Sequence, residues 1–268
     1  MINNNNNEKV TNNGQLKVVS YNCLNFKANR DMITDIIYKN DASFFIETWL
    51  NTQEKYLFEE ICKGEYNIIY HSDYDVTNGV PRGRPHGGLC WVIHKRFNLV
   101  SQTIFNQSII KATIEVSNKI FNLYGTWLPF DNNSKESLNI FKSNLSLIES
   151  QIKLHKYEET IILGDFNADL NRGKRFDKLM VKFVEKNTLL DTLDVTPQKV
   201  GYTYRKGDYV AKLDHIFIRK SSKSSLVTSK IVNSIETSDH YPVEATLNFS
   251  LGKTETGPDP EKKNLSQI

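Results

Sequence analysis

Residues 160–169, Thr-Ile-Ile-Leu-Gly-Asp-Phe-Asn-Ala-Asp, run from an apolar stretch through one glycine into a polar tip. The apolar part predicts a buried strand, with the polar residues at its end. Asp165 and Asn167 are two positions apart, so in an extended chain both side chains point to the same side. A carboxylate and an amide placed in this way can hold a water molecule and a phosphoryl oxygen together. An Asx-rich turn that closes the strand is the alternative interpretation, because the motif is short.

The last predicted strand is preceded by an acid and a histidine, in residues 238–240, Ser-Asp-His. His240 can stabilise charge that grows on a phosphoryl oxygen, although a solvated loop with a capping serine fits the same residues. Asp214 heads another apolar strand and needs a partner, because burying an unpaired acid is costly. His240 is the predicted partner, since a carboxylate fixes the tautomer and orientation of an imidazole. A salt bridge from Asp214 to Lys212 or Arg219 is the alternative.

Two earlier strand ends add an acid and an amide. Glu47 ends the apolar run 43–47, where one hard carboxylate oxygen suits Mg²⁺ with water completing its shell. Asn22 ends the first predicted strand, 16–21. Each of these strand ends alone is a weak signal. Five strand ends that carry Asn, Asp, Glu or His, in a chain without a cofactor motif, together predict one catalytic site.

Apolar periodicity predicts many strands and few helices. Helices are predicted over 30–39, after the candidate cap Asn29, over 138–152, with Ser134 ahead of it, and around 176–183. Strands are predicted over 16–21, 43–47, 66–71, 88–94, 98–104, 108–116, 119–125, 160–163, 213–218 and 243–249. This mixture predicts an α/β fold of two packed sheets with helices outside. A doubly wound nucleotide-binding fold fits less well, because the middle of the chain resembles consecutive hairpins.

Composition limits the class of protein. The net charge of 34 − 31 = +3 neither establishes nor excludes a nucleic-acid partner. No apolar run reaches the roughly 18 residues of a membrane span, and no secretory signal is visible, so no membrane insertion is expected. Cys23, Cys62 and Cys90 are an odd number of widely spaced cysteines, which disfavours a disulfide framework or a zinc cluster. A reducing, intracellular compartment is expected.

The two ends of the chain differ from its middle. Residues 1–14 are rich in asparagine, and residues 251–268 hold only three apolar side chains, so both are predicted to be disordered tails. Residues 15–250 contain no Pro/Gly/Ser-rich linker and no internal repeat. They are predicted to form one domain, and nothing in the sequence indicates an oligomer.

The strand-end motifs resemble those of the endonuclease/exonuclease/phosphatase superfamily, the metal-dependent phosphoesterases related to exonuclease III and DNase I. The matching residues follow the family's order along about 220 residues, namely Asn22, Glu47, Gly164-Asp165-Phe166-Asn167, Leu213-Asp214-His215-Ile216 and Ser238-Asp239-His240. The resemblance implies the DNase I-like four-layer α/β sandwich, in which two mixed β-sheets are flanked by helices. This agrees with the fold that the apolar periodicity predicts.

The resemblance implies a metal centre at three of these positions. Glu47 binds the catalytic Mg²⁺, which Mn²⁺ can replace, and Asn22 beside it contacts the metal or the phosphate. Asp239 supports the same site. The implied reaction is in-line hydrolysis of a phosphodiester, in which the metal acts as a Lewis acid and helps the leaving oxygen to depart.

The resemblance implies a catalytic part for four more residues. Asp165 orients or deprotonates the attacking water, and Asn167 donates a hydrogen bond to a non-bridging phosphate oxygen. His240 binds the scissile phosphate and stabilises the transition state, while Asp214 holds its imidazole. Such a set works by positioning and by preorganised charge.

One position departs from the nuclease branch of the superfamily. That branch has a Tyr-Ala/Val-Pro-Asn segment whose tyrosine reaches the phosphate, and this chain has Trp-Leu-Pro-Phe at 127–130. Trp127 can donate its indole N–H but has no hydroxyl. Trp127 and Tyr124, three positions earlier, are therefore the two candidate phosphate contacts.

Basic residues predict contacts to a nucleic-acid backbone. Residues 82–93 are similar to the Gly-Arg-x-x-Gly-Gly-hydrophobic segment of endonuclease domains in non-LTR retrotransposons. Such a basic, glycine-hinged loop suits phosphate contacts, although a β-turn with two surface arginines is the alternative. The candidate substrate contacts are Arg82, Arg84, Arg172, Lys174 and Arg175. A solvated helix face explains Lys174 and Arg175 equally well.

The predicted activity is Mg²⁺-dependent nicking of duplex DNA that leaves 3′-hydroxyl and 5′-phosphate ends, of the retrotransposon type or the abasic-site type. Such an enzyme is expected in the nucleus if its substrate is genomic DNA. The alternative is a sphingomyelinase-like or other small-molecule phosphodiesterase, since Ser-Asp-His-Tyr-Pro-Val is also similar to those enzymes. Against it, Trp127 replaces the histidine of their Gly-Thr-His-Leu segment. A catalytically dead binding module is a third hypothesis, which the intact acid and histidine set disfavours.

Overall fold

A computed structural model describes residues 14–73, 86–232 and 238–249. Within them lie four α-helices: α1 (Arg30–Lys39), α2 (Tyr56–Cys62), α3 (Lys135–Leu154) and α4 (Arg175–Lys186). The same residues form fourteen strands: β1 (Gln15–Asn22), β2 (Ala42–Ile46), β3 (Tyr66–His71), β4 (Leu89–His94), β5 (Asn98–Asn106), β6 (Ile109–Val116), β7 (Lys119–Trp127), β8 (Glu159–Asp165), β9 (Leu189–Asp191), β10 (Tyr204–Lys206), β11 (Tyr209–Ala211), β12 (Asp214–Arg219), β13 (Leu226–Ile231) and β14 (Val243–Asn248).

Twelve of these strands form two six-stranded sheets, and β10 and β11 form a separate hairpin. The first sheet has the order β13-β14-β1-β2-β4-β3, and the second has the order β5-β6-β7-β8-β12-β9. Both sheets are mixed. In the first, β1 and β2 run parallel and β1 and β14 antiparallel; in the second, β7 and β8 run parallel and β8 and β12 antiparallel.

Alternate residues of the central strands face two different cores, which is why these strands are nearly continuous apolar runs. In β2, Phe44 packs in the core between the sheets, and Phe45 packs in the core beneath α1 and α2. In β8, Ile161 faces the inner core, and Ile162 faces the core beneath α3 and α4. Two sheets covered by helices on both outer faces make a four-layer α/β sandwich, so the predicted fold class is confirmed.

Strand register brings the polar strand ends to one edge of the sandwich. Asn22, the last residue of β1, lies opposite Ile46, the last residue of β2, so Glu47 follows beside it. In the second sheet, Asp165 ends β8 and lies between Trp127 and Asp214 of the neighbouring strands.

Gly164 lets β7 and β8 approach closely just before Asp165. Its φ is +148°, and a Cβ atom at this position would lie 1.9 Å from the Thr126 carbonyl oxygen. Only glycine avoids that contact. Any side chain at position 164 would push the two strands apart and move the carboxylate of Asp165.

All ten predicted strands are present, as β1 to β8, β12 and β14, and the predicted helices are α1, α3 and α4. Ser134 caps α3, because its hydroxyl accepts the Ser137 N–H at 3.0 Å. Asn29 precedes α1 but does not cap it; its side-chain amide donates instead to the Cys23 carbonyl at 2.7 Å. Five elements, most of them short or partly exposed, were not predicted from the sequence, namely α2, β9, β10, β11 and β13.

The three cysteines, Cys23, Cys62 and Cys90, are free and buried. Burial raises the pKa of the Cys23 and Cys62 thiols to about 12, so these thiols are not ionised at neutral pH. No helix in the described residues is long and apolar enough to cross a membrane. The tails predicted at 1–14 and 251–268 fall almost entirely outside the described residues and stay predictions.

Candidate active site

Asn22 links the two sheets at the strand-end edge. Its side-chain amide donates to Glu47 Oε1 at 2.9 Å and to Asp165 Oδ2 at 3.2 Å, and the residue is fully buried. Glu47 follows β2 with a φ of +53°, and the indole N–H of Trp49 donates to Glu47 Oε2 at 3.4 Å. Each oxygen of the Glu47 carboxylate therefore accepts a hydrogen bond from a neutral donor, which fixes its orientation.

Asp165 is the buried acid of the site. Its Oδ1 accepts the backbone N–H of Asn167 at 2.9 Å, so the Asx turn and the paired polar side chains are both present. Asn167 has a left-handed backbone with a φ of +50°, and its amide donates to the Leu128 carbonyl at 2.9 Å. Burial raises the pKa of Asp165 to about 7, although the charge of His240 opposes this rise. Asp165 can therefore gain or lose a proton near neutral pH.

His240 lies between two carboxylates from the second sheet. Its Nδ1 is 2.8 Å from Asp214 Oδ2, and its Nε2 is 3.8 Å from Asp165 Oδ2. The ring packs edge-on against Tyr204, with 4.8 Å between ring centroids. Although burial lowers the pKa of this imidazole, the carboxylates of Asp214 and Asp165 raise it to about 10. His240 is therefore a cation at neutral pH.

His240 is the partner of Asp214, as the sequence predicts, and the two alternative partners are engaged elsewhere. Lys212 Nζ is 2.6 Å from the carboxylate of Asp194. The guanidinium of Arg219 donates to backbone carbonyls at the end of α3 and in the turn that follows it. The acid at the head of β12 thus pairs with His240 rather than with Lys212 or Arg219.

The residues predicted to hold a metal are brought together, and Asp239 supplies the oxygen atom among them that has no hydrogen-bond partner. Glu47 and Asp239 line the same cavity, and Asp239 Oδ1 is buried without a hydrogen-bond partner. Asn22 adds an amide oxygen, which accepts the Leu24 N–H at 3.3 Å. A buried carboxylate oxygen without a partner is costly, and an oxygen-only donor set suits a hard divalent cation. The residues present therefore fit Mg²⁺.

A second group of metal-ligating side chains lies close by. Asp165, Asp214 and His240 bring ligand atoms within 4.8 Å of one another. The hydrogen bond from His240 to Asp214 already engages two members of this group. The arrangement is therefore better suited to holding and moving a proton than to enclosing a cation.

The site opens into a cavity of about 380 Å³. The members of the predicted catalytic and metal sets that line it are Glu47, Asp165, Asn167, Asp239 and His240. Its rim carries two aromatic rings with large exposed fractions, 65% for Phe130 and 45% for Tyr209. Acidic, cationic and aromatic groups therefore share one opening.

Two of the predicted substrate contacts, Arg172 and Arg175, are already paired with acids of the chain. Arg172 donates to both oxygens of the Asp177 carboxylate, at 2.8 and 3.0 Å, and to the Tyr209 hydroxyl. Arg175 donates to both oxygens of the Asp131 carboxylate. Their charges are thus compensated by acids that lie around the cavity, which Arg172 lines, and their predicted contacts to a substrate stay predictions.

The three remaining basic residues that were predicted to contact the substrate are Lys174, Arg82 and Arg84. Lys174 lines the cavity, and its ammonium lies 5.4 Å from the centroid of the Tyr209 ring. No carboxylate in the described part of the chain pairs with it, so its charge is available to a substrate anion. Arg82 and Arg84 lie outside the described residues, and their predicted phosphate contacts stay predictions.

Two residues of β7 were predicted as candidate phosphate contacts, and the prediction for Tyr124 is wrong. It is fully buried in the core beneath α3, because residues three apart on a strand point to opposite faces of the sheet. Trp127 instead lines a neighbouring cavity of about 220 Å³, beside Gly87 and His71. Its contact with a phosphate stays a prediction.

Three residues outside the predicted catalytic, metal and substrate sets also shape the site. The Ser238 hydroxyl donates to the Asn22 carbonyl at 2.9 Å and accepts the His240 N–H at 3.1 Å, which ties the histidine loop to β1. Trp49 donates to Glu47, the predicted metal ligand, and its position two residues after that acid was a signal in the sequence. Tyr204 packs on the His240 ring from a three-residue strand too short to show a period.

A search of curated proteins gives no match. Three of the structurally similar proteins are the 3′ phosphatase NExo from Neisseria bound to a product DNA hairpin, an AP endonuclease from Archaeoglobus fulgidus, and an endonuclease/exonuclease/phosphatase family protein from Leptotrichia buccalis. Their sequence identities are 14%, 13% and 17%, and their TM-scores are 0.68, 0.68 and 0.63. Each alignment covers 87% of this chain and 100% of the other chain, so all three share its fold.

The sequence itself matches the Endonuclease/Exonuclease/phosphatase family over residues 19–240. This range begins three residues before Asn22 and ends at His240, so it contains the whole candidate site. The sandwich, the acid and histidine cluster at its edge and the family match agree. The chain therefore belongs to the endonuclease/exonuclease/phosphatase family and is a phosphodiester hydrolase.

Proposed function

We propose that the protein is a Mg²⁺-dependent phosphodiesterase that nicks duplex DNA and leaves 3′-hydroxyl and 5′-phosphate ends. The observation that carries the proposal is the line formed by Asp165, His240 and Asp214. In it, a buried acid with a raised pKa lies 3.8 Å from a histidine that a second acid holds at 2.8 Å. Glu47 lines the same cavity, so a proton acceptor, a cation and a metal-binding oxygen meet at one place.

Each residue of this line has a separate part in the proposed hydrolysis. Asp165, with a pKa of about 7, orients the attacking water and accepts its proton. His240 carries positive charge beside it and stabilises the charge that develops on the phosphoryl oxygens. Asp214 binds Nδ1 of His240, which leaves Nε2 for the substrate. Asn167 supplies an amide for a non-bridging oxygen.

The metal is proposed to bind at Glu47, with Asn22 and Asp239 beside it. Bound Mg²⁺ would supply Lewis acidity and neutralise charge on the leaving oxygen. The unpartnered Asp239 Oδ1 supports this assignment, since it is a buried oxygen in need of a cation or a donor. Mn²⁺ is expected to substitute, because carboxylate and amide oxygens suit both ions.

Two features of the cavity support a nucleic-acid substrate. Lys174 offers a cation for a phosphate, and the exposed rings of Phe130 and Tyr209 offer surfaces on which a base can stack. One protein of similar fold, NExo from Neisseria, is bound to a product DNA hairpin. Cleavage of the retrotransposon type and of the abasic-site type both fall within the proposal, and a substrate panel separates them.

The panel contains supercoiled plasmid, a duplex with an abasic site, sphingomyelin vesicles and an inositol phosphate, each incubated with Mg²⁺. We expect nicked plasmid whose new ends a DNA polymerase extends, and no release of choline phosphate. Strong preference for the abasic duplex over the plasmid would assign the abasic-site type. A folded, metal-loaded protein that leaves plasmid intact but cleaves sphingomyelin contradicts the proposal.

A further inference from the structure

A second histidine, His215, lies next to Asp214 in the sequence but outside the catalytic line. It is fully buried, with Nδ1 2.7 Å from Asp191 Oδ2 and Nε2 3.0 Å from the Ala168 carbonyl oxygen. Its ring stacks on Phe217, at 5.1 Å between centroids. Both ring nitrogens therefore face an acceptor, and neither faces water.

This geometry requires both nitrogens of His215 to donate. A carboxylate and a carbonyl oxygen are acceptors only, so a neutral imidazole would leave one nitrogen lone pair against an oxygen lone pair. Burial lowers the pKa of His215, but the carboxylate of Asp191 raises it above its usual value. Lys212 Nζ lies 3.1 Å from the same carboxylate, so Asp191 is held by two cations.

Burying charged groups costs desolvation free energy, and a protein with well-packed apolar residues of similar volume in their place is often as stable or more stable. The charged group formed by His215, Asp191 and Lys212 has a second effect: it fixes the position of the Ala168 backbone carbonyl. Ala168 follows Asn167, whose backbone is left-handed, and precedes Asp169. The Lys212 N–H donates to Asp169 Oδ2 at 2.9 Å, which anchors the loop a second time.

We propose that His215 is a positioning residue for Asn167: by donating to the Ala168 carbonyl while Asp191 holds its other nitrogen, it fixes the left-handed turn that presents the Asn167 amide to the catalytic cavity. This inference rests on the proposed hydrolysis at the same site. It predicts that His215 influences the rate without touching the substrate.

Activity is measured on the small phosphodiester bis(p-nitrophenyl) phosphate. His215→Phe keeps an aromatic ring but loses both donors, and we expect kcat to fall by about 10-fold to 100-fold with little change in KM. His215→Gln keeps an N–H donor and is expected to retain more of kcat. Ile148→Val, a buried substitution in α3, is the control for destabilisation alone and is expected to leave kcat unchanged.

A double-mutant cycle with Asn167 separates positioning from a general structural role. If His215 acts through Asn167, then His215→Phe lowers kcat in the wild-type protein but not in the Asn167→Ala background. Equal losses in the two backgrounds, or full activity of folded His215→Phe, overturn the proposal.

Nuclear magnetic resonance of the metal-free protein gives a readout that does not depend on activity. At about neutral pH, both ring nitrogens of His215 are expected to carry protons, and the backbone amide resonance of Asn167 is expected to shift in His215→Gln but not in Ile148→Val. A ring nitrogen without a proton, or an unmoved Asn167 resonance, overturns the proposal even if DNA is cleaved. If DNA is not a substrate, these signatures persist, so failure of the proposed function is recognised separately.

Discussion

His240 Nδ1 lies 2.8 Å from Asp214 Oδ2, and this hydrogen bond crosses from one sheet of the sandwich to the other. Asp214 begins β12 of the second sheet, while His240 precedes β14 of the first. The other ring nitrogen lies 3.8 Å from Asp165, at the end of β8. The imidazole therefore spans the seam between the sheets, and its position depends on how they pack.

Asp214→Asn is expected to leave the fold intact and to lower kcat by about 10-fold to 100-fold, because the imidazole loses its orienting carboxylate. KM should change little, since Asp214 does not reach the substrate. Steady-state kinetics, with circular dichroism to verify folding, makes the measurement. Asp194→Asn, which removes a largely exposed carboxylate from Lys212, is the control. Unfolding of Asp214→Asn with full activity in the folded fraction would assign a structural role instead.

Glu47→Gln is expected to raise the Mg²⁺ concentration needed for half-maximal activity, because it replaces a charged oxygen ligand with a neutral one. A glutamine side chain has one acceptor oxygen where glutamate has two, so the variant loses an acceptor for one of the two donors, Asn22 and Trp49. Titration of activity with Mg²⁺ after treatment with EDTA measures the shift. An unchanged midpoint would remove Glu47 from the metal site.

Asp165→Asn is expected to stabilise the metal-free protein above neutral pH. The pKa of Asp165 is 3.8 without perturbation and about 7 in the fold, so between these values the folded state holds a proton that the unfolded state has lost. The free energy of unfolding contributed by this group therefore falls as pH rises from about 4 to about 7. Asparagine does not titrate, so the substitution removes this decrease in the free energy of unfolding.

Urea unfolding of both proteins in EDTA, at several pH values, measures this difference. The two stability curves should diverge through that range, with the variant the more stable at its upper end. Parallel curves would mean that burial of the Asp165 carboxylate is already compensated in the fold. Because the same acid is proposed to accept a proton in catalysis, the variant should also be inactive.

Lys174→Ala is expected to weaken DNA binding and to lower the slope of log affinity against log salt by roughly 0.9, the value for one phosphate contact. Arg172→Ala is expected to leave that slope nearly unchanged, because its charge is already paired with Asp177. Its effect is on stability: it leaves the buried Asp177 carboxylate without its cation, at a cost of about 3 kcal/mol. Fluorescence anisotropy in a series of salt concentrations, with thermal unfolding, separates the two. A large change in slope for Arg172→Ala would show that this arginine contacts a phosphate, as the sequence predicts.

The residues that the sequence predicts well are those at strand ends. Asp165 and Asn167 are two positions apart, and Asn22 and Glu47 each follow an apolar run, so local pattern alone placed them on one edge. The pairing of Asp214 with His240 also followed from a local argument, because a buried acid at the head of a strand needs a partner.

Contacts between segments that are distant in the sequence could not be predicted from local patterns. The ion pair of Asp191 with His215 joins residues 24 positions apart, and that of Arg175 with Asp131 joins residues 44 apart, with no periodic signal in either case. The prediction that Tyr124 contacts the phosphate was wrong for another reason. Strand alternation already places residues three apart on opposite faces, so the sequence contained the information that excludes it.

The proposed metal-dependent hydrolysis is tested by the nicking rate of supercoiled plasmid as Mg²⁺ is added to EDTA-treated protein, for the wild-type enzyme and for His240→Ala. We expect no nicking without the metal, a rate that rises to saturation with Mg²⁺ in the wild-type enzyme, and almost no nicking by the folded variant at any Mg²⁺ concentration. Equal rates for the two proteins, or full activity of the wild-type enzyme in EDTA, would contradict the proposal.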